Sequence, residues 1–139
     1  MISDIRIFDV KAGDIVKEKK TVDTDEIFSM EISGDIDLKN PGYKVLIIYV
    51  DVYYYHNTQL YTFASINNFS CQMTETDIVK FSEDDYKEFA NAIQSAISVT
   101  QLIFMQKSAK LNIELMPMPT PLYNETYNNL KSGVYTMWN

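Results

Sequence analysis

The chain has 139 residues and a formal net charge of −7, and hydrophobic residues make up 46% of it. This length and composition are typical of one folded domain spanning residues 1–139, and they exclude the disordered class. The acidic balance argues against a nucleic-acid-binding surface, which needs clustered Lys and Arg, and one cysteine cannot form an intramolecular disulfide.

The N-terminal part of the chain predicts two strands. Residues 2 to 10 alternate in polarity, with Ile5 and Ile7 on one face, and predict the first strand. The cationic run at residues 17 to 20 is typical of a hairpin tip or loop. Residues 27 to 38 alternate more regularly and predict a half-buried second strand with an acidic outer side, in which Gly34 is a candidate bulge.

Two further strands follow a turn at residues 39 to 42. The stretch VLIIYVDVYYYH, residues 45 to 56, is apolar on both alternating faces and predicts the third strand; residues 60 to 73 predict the fourth. A two-residue loop between them pairs Val52 with Phe63 and puts the aliphatic face of the third strand in the core. A four-residue loop at residues 39 to 42 would instead put the other face of the third strand, which carries Tyr49, Tyr53 and Tyr55, in the core. Asp51 argues against that alternative, and a bulge or a five-residue loop would remove the conflict.

The second half of the chain predicts helices. Ser82 and Asp85 fit a capping box, and apolar residues then recur at helical spacing as far as Phe104, which predicts a long amphipathic helix. Residues 110 to 115 predict an extended piece or an irregular loop, and the prolines that follow precede a short C-terminal helix that begins near residue 120. The expected fold is α+β, with a four-stranded antiparallel sheet, a long helix and a short C-terminal helix.

Residues suited to catalysis are few. His56 is the one histidine and lies at a predicted hairpin tip, which favours an exposed turn residue over a metal ligand. Cys71 lies on a strand and is typical of a small buried hydrophobe. Asp35, Asp37 and Asp51 could pair for acid and base chemistry, but alternation explains the first two as a solvated strand face. We therefore expect neither an enzyme nor a cofactor or metal.

Targeting signals are also missing from the sequence. The N-terminus lacks the charged region and apolar run of a secretory signal, and the longest apolar run is far short of the roughly 18 residues that span a bilayer. A cytoplasmic protein without membrane insertion is expected.

The apolar surface exceeds what one core needs. One helix covers one face of a sheet, so Tyr49, Tyr53 and Tyr55 on the other face of the third strand remain uncovered. A contiguous apolar surface marks a binding or oligomer interface, whereas tyrosines on a solvated sheet face are also common. Both explanations stay open from the sequence.

The order of these elements resembles the SecB export chaperones and their relatives, which include chaperones of toxin-antitoxin systems. Residues 43 to 47, YKVLI, look like the family's third-strand opening, and residues 62 to 69, TFASINNF, are similar to its fourth strand. Residues 111 to 119, LNIELMPMP, resemble the Leu-Asn-Leu stretch and the loop before the lid helix. The resemblance implies a homotetramer, built as a dimer of dimers, that holds unfolded polypeptides in apolar grooves.

The resemblance also implies which residues bind clients and partners. Tyr49, Tyr53 and Tyr55 are the expected client-binding residues of the sheet. Those of the helix, loop and lid are Met105, Met116, Met118, Leu122, Tyr123 and Tyr127. Glu31, Asp35 and Asp37 are the expected acidic docking face for an export motor.

The sequence departs from the family in two places. Residues 74 to 81 replace a crossover rich in glycine and proline, and the acidic C-terminal tail that docks on the motor is absent, so an antitoxin is an equally open partner. Other classes of function are a non-catalytic accessory module that binds one folded partner and a module that binds a small ligand.

Overall fold

A computed structural model describes residues 2–21, 28–37, 42–56, 59–72 and 82–113 of the chain. The elements in chain order are strands β1 (Ser3–Ala12), β2 (Val16–Thr21), β3 (Phe28–Asp37), β4 (Lys44–His56) and β5 (Gln59–Gln72), and helix α1 (Glu83–Lys110). The predicted α+β class and the long helix are confirmed. The predicted loop after the long helix and the short C-terminal helix fall largely or wholly outside the described residues.

The sheet is antiparallel, with the order β1-β5-β4-β3, and β2 also pairs with β5. β1 and β2 therefore occupy the same edge, and within the described residues the sheet has five strands where the sequence predicted four. The cationic run at 17 to 20, predicted as a hairpin tip or loop, lies in β2. An edge strand is paired on one side only and can carry charged side chains into solvent, which is why this polar segment can be a strand.

The hairpin of β4 and β5 has the predicted register. Val52 pairs with Phe63, and Leu46 pairs with Phe69. The core face of β4 is the aliphatic one, because its even-numbered side chains from residue 46 to residue 54 are at most 1% exposed. That set consists of Leu46, Ile48, Val50, Val52 and Tyr54.

The pairing of β3 with β4 agrees with the aliphatic face of β4 as the core face, which the sequence left open. Ile36 pairs with Leu46 and Asp37 with Val45, the register that a five-residue loop produces. The ladder is continuous through Gly34, so the candidate bulge at that position is wrong. The register shifts of the described sheet lie in β1, between Ser3 and Arg6 and between Ile7 and Asp9, and in β2, between Lys17 and Thr21.

Helix α1 begins at the predicted capping box. The Ser82 hydroxyl accepts a hydrogen bond from the Asp85 amide at 3.2 Å, and the Ser82 amide donates to Asp85 Oδ2 at 2.9 Å. Asp85 Oδ1 also accepts from the amide of Ile2 at 2.8 Å, which ties the start of β1 to the start of the helix. Burial raises the pKa of Asp85, but the hydrogen bonds from Ser82 and Ile2 outweigh it and hold the pKa below its ordinary value.

The helix covers the inner face of the sheet. Phe104 is fully buried, and its ring centroid lies 5.8 Å from that of Tyr54 and 5.6 Å from that of Phe63. A polar contact within the core also joins the two layers, since Ser65 Oγ lies 2.6 Å from Thr100 Oγ1. In the part of the chain that the structure describes, the helix is not apolar enough along its length to cross a membrane.

Candidate functional site

The face of the sheet that α1 does not cover is called the outer face. On β4 it consists of the odd-numbered side chains, and the three tyrosines predicted as client-binding residues, Tyr49, Tyr53 and Tyr55, all lie there half-buried. Tyr49 pairs with Ile66, whose side chain is 36% exposed, so the apolar surface continues onto β5. The structure therefore brings the three tyrosines to one surface, as the alternation predicted.

Carboxylates interrupt and border this apolar surface. Glu31 of β3 and Asp51 of β4 are directly paired across the sheet, and the Tyr53 hydroxyl donates to Glu31 Oε2 at 3.3 Å. On the other side, Glu18 of β2 accepts a hydrogen bond from the Thr62 hydroxyl at 3.2 Å. We call Glu18, Glu31 and Asp51 the carboxylate cluster. No described Lys or Arg forms an ion pair with any of them.

The surroundings of Asp51 and Tyr53 shift the pKa values of both groups. Burial raises the pKa of Asp51 above its ordinary value, and the negative charge of Glu31 raises it further. Burial likewise raises the pKa of Tyr53, to which the charge of Glu31 and the hydrogen bond to it both add. Tyr53 therefore keeps its proton at neutral pH and remains a hydrogen-bond donor. The local field favours a bound cation over a bound anion.

Two adjoining grooves run along this part of the outer face, above β5. The first has a volume of about 510 Å³ and is lined by Val16, Asp51, Tyr53 and Thr62, among others. The second, of about 560 Å³, shares Val16, Tyr53 and Thr62 and extends over Leu60. Both are open to solvent and have apolar walls; the charged residues of the first are carboxylates, whereas Lys17 and Lys19 accompany Glu18 in the second. Their shape suits an extended chain more than an enclosed small molecule.

A third groove lies at the other end of the outer face. It has a volume of about 540 Å³, and its lining includes Arg6, Phe8 and Tyr43. Phe8 is 57% exposed because it sits at the bulge between Ile7 and Asp9, which turns it out of the regular alternation. Large apolar side chains are thus available at both ends of this face.

The structure does not place every predicted client-binding residue on this surface. Met105 lies on α1, where it is 51% exposed near the exposed Leu102, on the opposite side of the sheet from the tyrosines. The others, all from the predicted loop and lid helix, lie outside the described residues: Met116, Met118, Leu122, Tyr123 and Tyr127.

The three acidic residues predicted as a docking face share the outer side of β3. Glu31 and Asp37 are exposed and Asp35 is half-buried. Asp35 Oδ1 accepts a hydrogen bond from the amide of Ile36 at 2.9 Å. Their common orientation agrees with the predicted solvated strand face.

The residues considered for catalysis are not assembled into a site. His56 is the last residue of β4 and pairs with Gln59, so it flanks the turn and does not lie in it. Cys71 is 1% exposed, and burial raises the pKa of its thiol to about 11, which keeps it protonated and unreactive. Across the described ranges, no group of three or more His, Cys, Asp or Glu side chains could hold a metal ion.

Sequence reasoning missed the contributions of β2 and of the β1 bulge. Val16, Glu18 and Thr62 form one wall of the grooves, and Phe8 belongs to the third. The polar residues after Val16 lack the alternation that predicts a strand. The bulge in β1 contains no glycine that would indicate it from the sequence.

The similarity of this chain to known proteins is found among solved structures. No protein-family model matches the chain, and no curated protein matches it. Among solved structures, the chain is similar to the SecB-like chaperone Rv1957 of Mycobacterium tuberculosis, in complex with a ChAD peptide from the Rv1956 HigA1 antitoxin. The similarity covers 88% of this chain and 87% of that one, with 11% sequence identity and a TM-score of 0.45.

Proposed function

We propose that this protein is a cytoplasmic holdase chaperone that binds non-native polypeptide segments on the outer face of its sheet. The observation that carries the proposal is the apolar surface of Tyr49, Tyr53 and Tyr55, which no described element covers and which carboxylates border. Tyrosine offers a large contact area together with a hydroxyl that can adapt to different partners, so such a surface can accept many unrelated chains.

The charge of this surface supports one class of client. Glu18, Glu31 and Asp51 give it a negative potential, and the whole chain has a net charge of −7. A segment that combines aromatic or aliphatic residues with Lys or Arg would satisfy both the apolar and the electrostatic character of the first groove. Acidic segments would be repelled.

Assembly and partner docking form a second part of the proposal. The exposed apolar residues Leu102, Met105 and Leu111 near the C-terminal end of α1 support an interface between copies of the chain, and the resemblance seen in the sequence implies a dimer of dimers. Glu31, Asp35 and Asp37 would provide the acidic side of β3 for a basic partner such as an export motor.

A light-scattering assay with an aggregating client tests the function. The native protein should suppress aggregation at a near-stoichiometric ratio, with a secretory precursor and an antitoxin as the two client classes that the sequence resemblance implies. Replacement of Tyr49, Tyr53 and Tyr55 together by serine should abolish suppression while the far-ultraviolet circular dichroism spectrum is retained. The matched control, Val99→Ser on α1, changes one half-buried apolar side chain on the opposite side of the sheet.

The outcome separates the proposal from its alternatives. If the triple variant suppresses aggregation as well as the native protein, the outer face is not the client site. A monomer that suppresses no aggregation and binds one folded partner would identify an accessory module and refute the chaperone function. Native mass spectrometry gives the oligomeric state needed for that decision.

A further inference from the structure

The two edges of the sheet differ in regularity. The β1–β2 edge contains three register shifts against β5, a break at residues 13–15 and a left-handed backbone conformation at Asp4 (φ 54°). Such irregularities prevent another strand from pairing. β3 has none of them, since its ten residues pair with β4 without a register shift. No described strand pairs with its other side, so β3 is the edge that could accept a further strand.

The amide of Ile36 shows which backbone groups face this open edge. It donates to the carboxylate of Asp35, so it points away from β4. In an antiparallel ladder the outward groups alternate along the strand. The even-numbered residues of β3 therefore present their amides and carbonyls to the open side.

The inner side of β3 has apolar side chains that the helix covers only in part. α1 runs alongside β1, β4 and β5 but not β3, whose Met30, Ile32 and Ile36 pack against the core. Accordingly Met30, Ile32 and Ile36 are only half-buried, whereas Ile48 and Val50 of β4 are completely buried. An added strand with apolar residues on its inner side would remove this surface from water.

The outer side of β3 selects the charge of the added strand. Glu31 and Asp35 lie four residues apart on this side, and neither forms an ion pair with a described Lys or Arg. Lysines at the matching spacing would lie directly opposite these carboxylates, where pairs of opposite charge are favourable. The β3 strand of a second copy would bring carboxylates there instead, which disfavours self-pairing.

We propose that the open edge of β3 binds an extended client segment as an additional antiparallel strand, with alternating basic and apolar residues. The proposal rests on the proposed function, because the ligand is a non-native polypeptide. It adds a mode of binding that depends on backbone hydrogen bonds and a sequence pattern that the edge recognises.

A designed peptide tests the pattern against the native protein. The peptide is Val-Lys-Phe-Thr-Val-Lys-Val with blocked ends, in which the lysines match Asp35 and Glu31 and the phenylalanine lies opposite Gly34. An aromatic residue can cover the backbone of an edge glycine. Fluorescence anisotropy measures its binding, and a peptide with both lysines replaced by glutamate should bind about tenfold more weakly or not at all.

N-methylation of the peptide distinguishes strand addition from side-chain binding. The even-numbered residues of β3 present their backbone amides and carbonyls to the open edge. The third residue of the peptide, phenylalanine, and the fifth, valine, lie opposite such residues, so their backbone amides donate ladder hydrogen bonds. Methylation of those two nitrogens should weaken binding by about tenfold or more. Methylation of the backbone nitrogens of the two lysines is the matched control. It should leave the affinity unchanged within about twofold, because these backbone nitrogens face away from β3.

Each outcome has one meaning. Equal loss from both methylated peptides, or no loss from either, overturns strand addition while aggregation suppression can still hold. If no peptide binds and the protein also suppresses no aggregation, the proposed function fails with it. If no peptide binds while Ile32→Lys converts a dimer to a monomer in analytical ultracentrifugation, the edge is an interface between copies and the proposal is overturned.

Discussion

The carboxylate of Asp85 joins the start of β1 to the start of α1, and its removal should destabilise the protein more than the loss of an ordinary helix cap. Replacement by alanine removes the capping-box bond to the Ser82 amide, which costs about 1 kcal/mol in typical helices. It also leaves the amide of Ile2 without its acceptor in a region where Ile2 is 2% exposed, at a cost of roughly 1–3 kcal/mol. We expect the free energy of unfolding to fall by roughly 2–4 kcal/mol.

Urea denaturation followed by circular dichroism measures this change, and two neighbouring substitutions calibrate it. Asp84→Ala removes an exposed acid from the same first turn and should cost only about 0.5 kcal/mol through the helix dipole. Ser82→Ala removes the hydroxyl that accepts from the Asp85 amide and should cost about 1 kcal/mol. If Asp85→Ala is no more destabilising than Asp84→Ala, the link between Ile2 and the helix does not contribute to stability.

The same carboxylate gives a pH dependence with a defined sign. The folded-state pKa of Asp85 lies below its unfolded value, so its contribution is fully present above the unfolded pKa of about 3.9. That contribution is lost as the pH falls through the lower, folded-state pKa. The difference in stability between the native protein and Asp85→Ala should therefore be constant near neutral pH and shrink below about pH 4. A difference that grows on acidification would contradict the assignment.

Three further outcomes follow from the core and the outer face. Phe104→Ala should lower the free energy of unfolding by about 3–5 kcal/mol in urea denaturation, because it removes a fully buried ring packed between two others; a loss below about 1 kcal/mol would contradict that packing. The thiol of Cys71, with a pKa of about 11, should resist iodoacetamide at pH 8 in the folded protein and react after unfolding, as mass spectrometry would show; rapid labelling of the folded form would refute its burial. Glu31→Gln should lower the pKa of Asp51 in a carboxyl ¹³C titration, whereas the control Asp35→Asn should leave it unchanged; no response to Glu31→Gln would refute the coupling.

The sequence predicts those parts of the fold that depend on local chemistry. The capping box of Ser82 and Asp85 is a local pattern, and so is the two-residue turn that sets the pairing of Val52 with Phe63. Both are confirmed. β2 has no such local pattern, since a polar segment becomes a strand only because β5 supplies its hydrogen-bond partners.

The site could be predicted only in part for the same reason. Alternation along one strand places Tyr49, Tyr53 and Tyr55 on one face, so their common surface is readable from the sequence. The nearness of Glu18 and Glu31 to Tyr53 depends on strand order, because the two acids lie on opposite sides of the β4–β5 pair. A single sequence does not specify that order.

Asp51 links the register of the sheet to the chemistry of its outer face. A slip of one residue in β4 would turn Asp51 under α1, among side chains that are completely buried, and would expose Val50 and Ile48. Burial of a carboxylate without a partner costs several kcal/mol, so this one charge in an otherwise apolar run excludes the alternative register. In the register that remains, Asp51 stands beside Glu31 and supplies part of the negative charge that would select basic clients. The residue that allows the strand to fold in one orientation is therefore also one that adds negative charge to the exposed face.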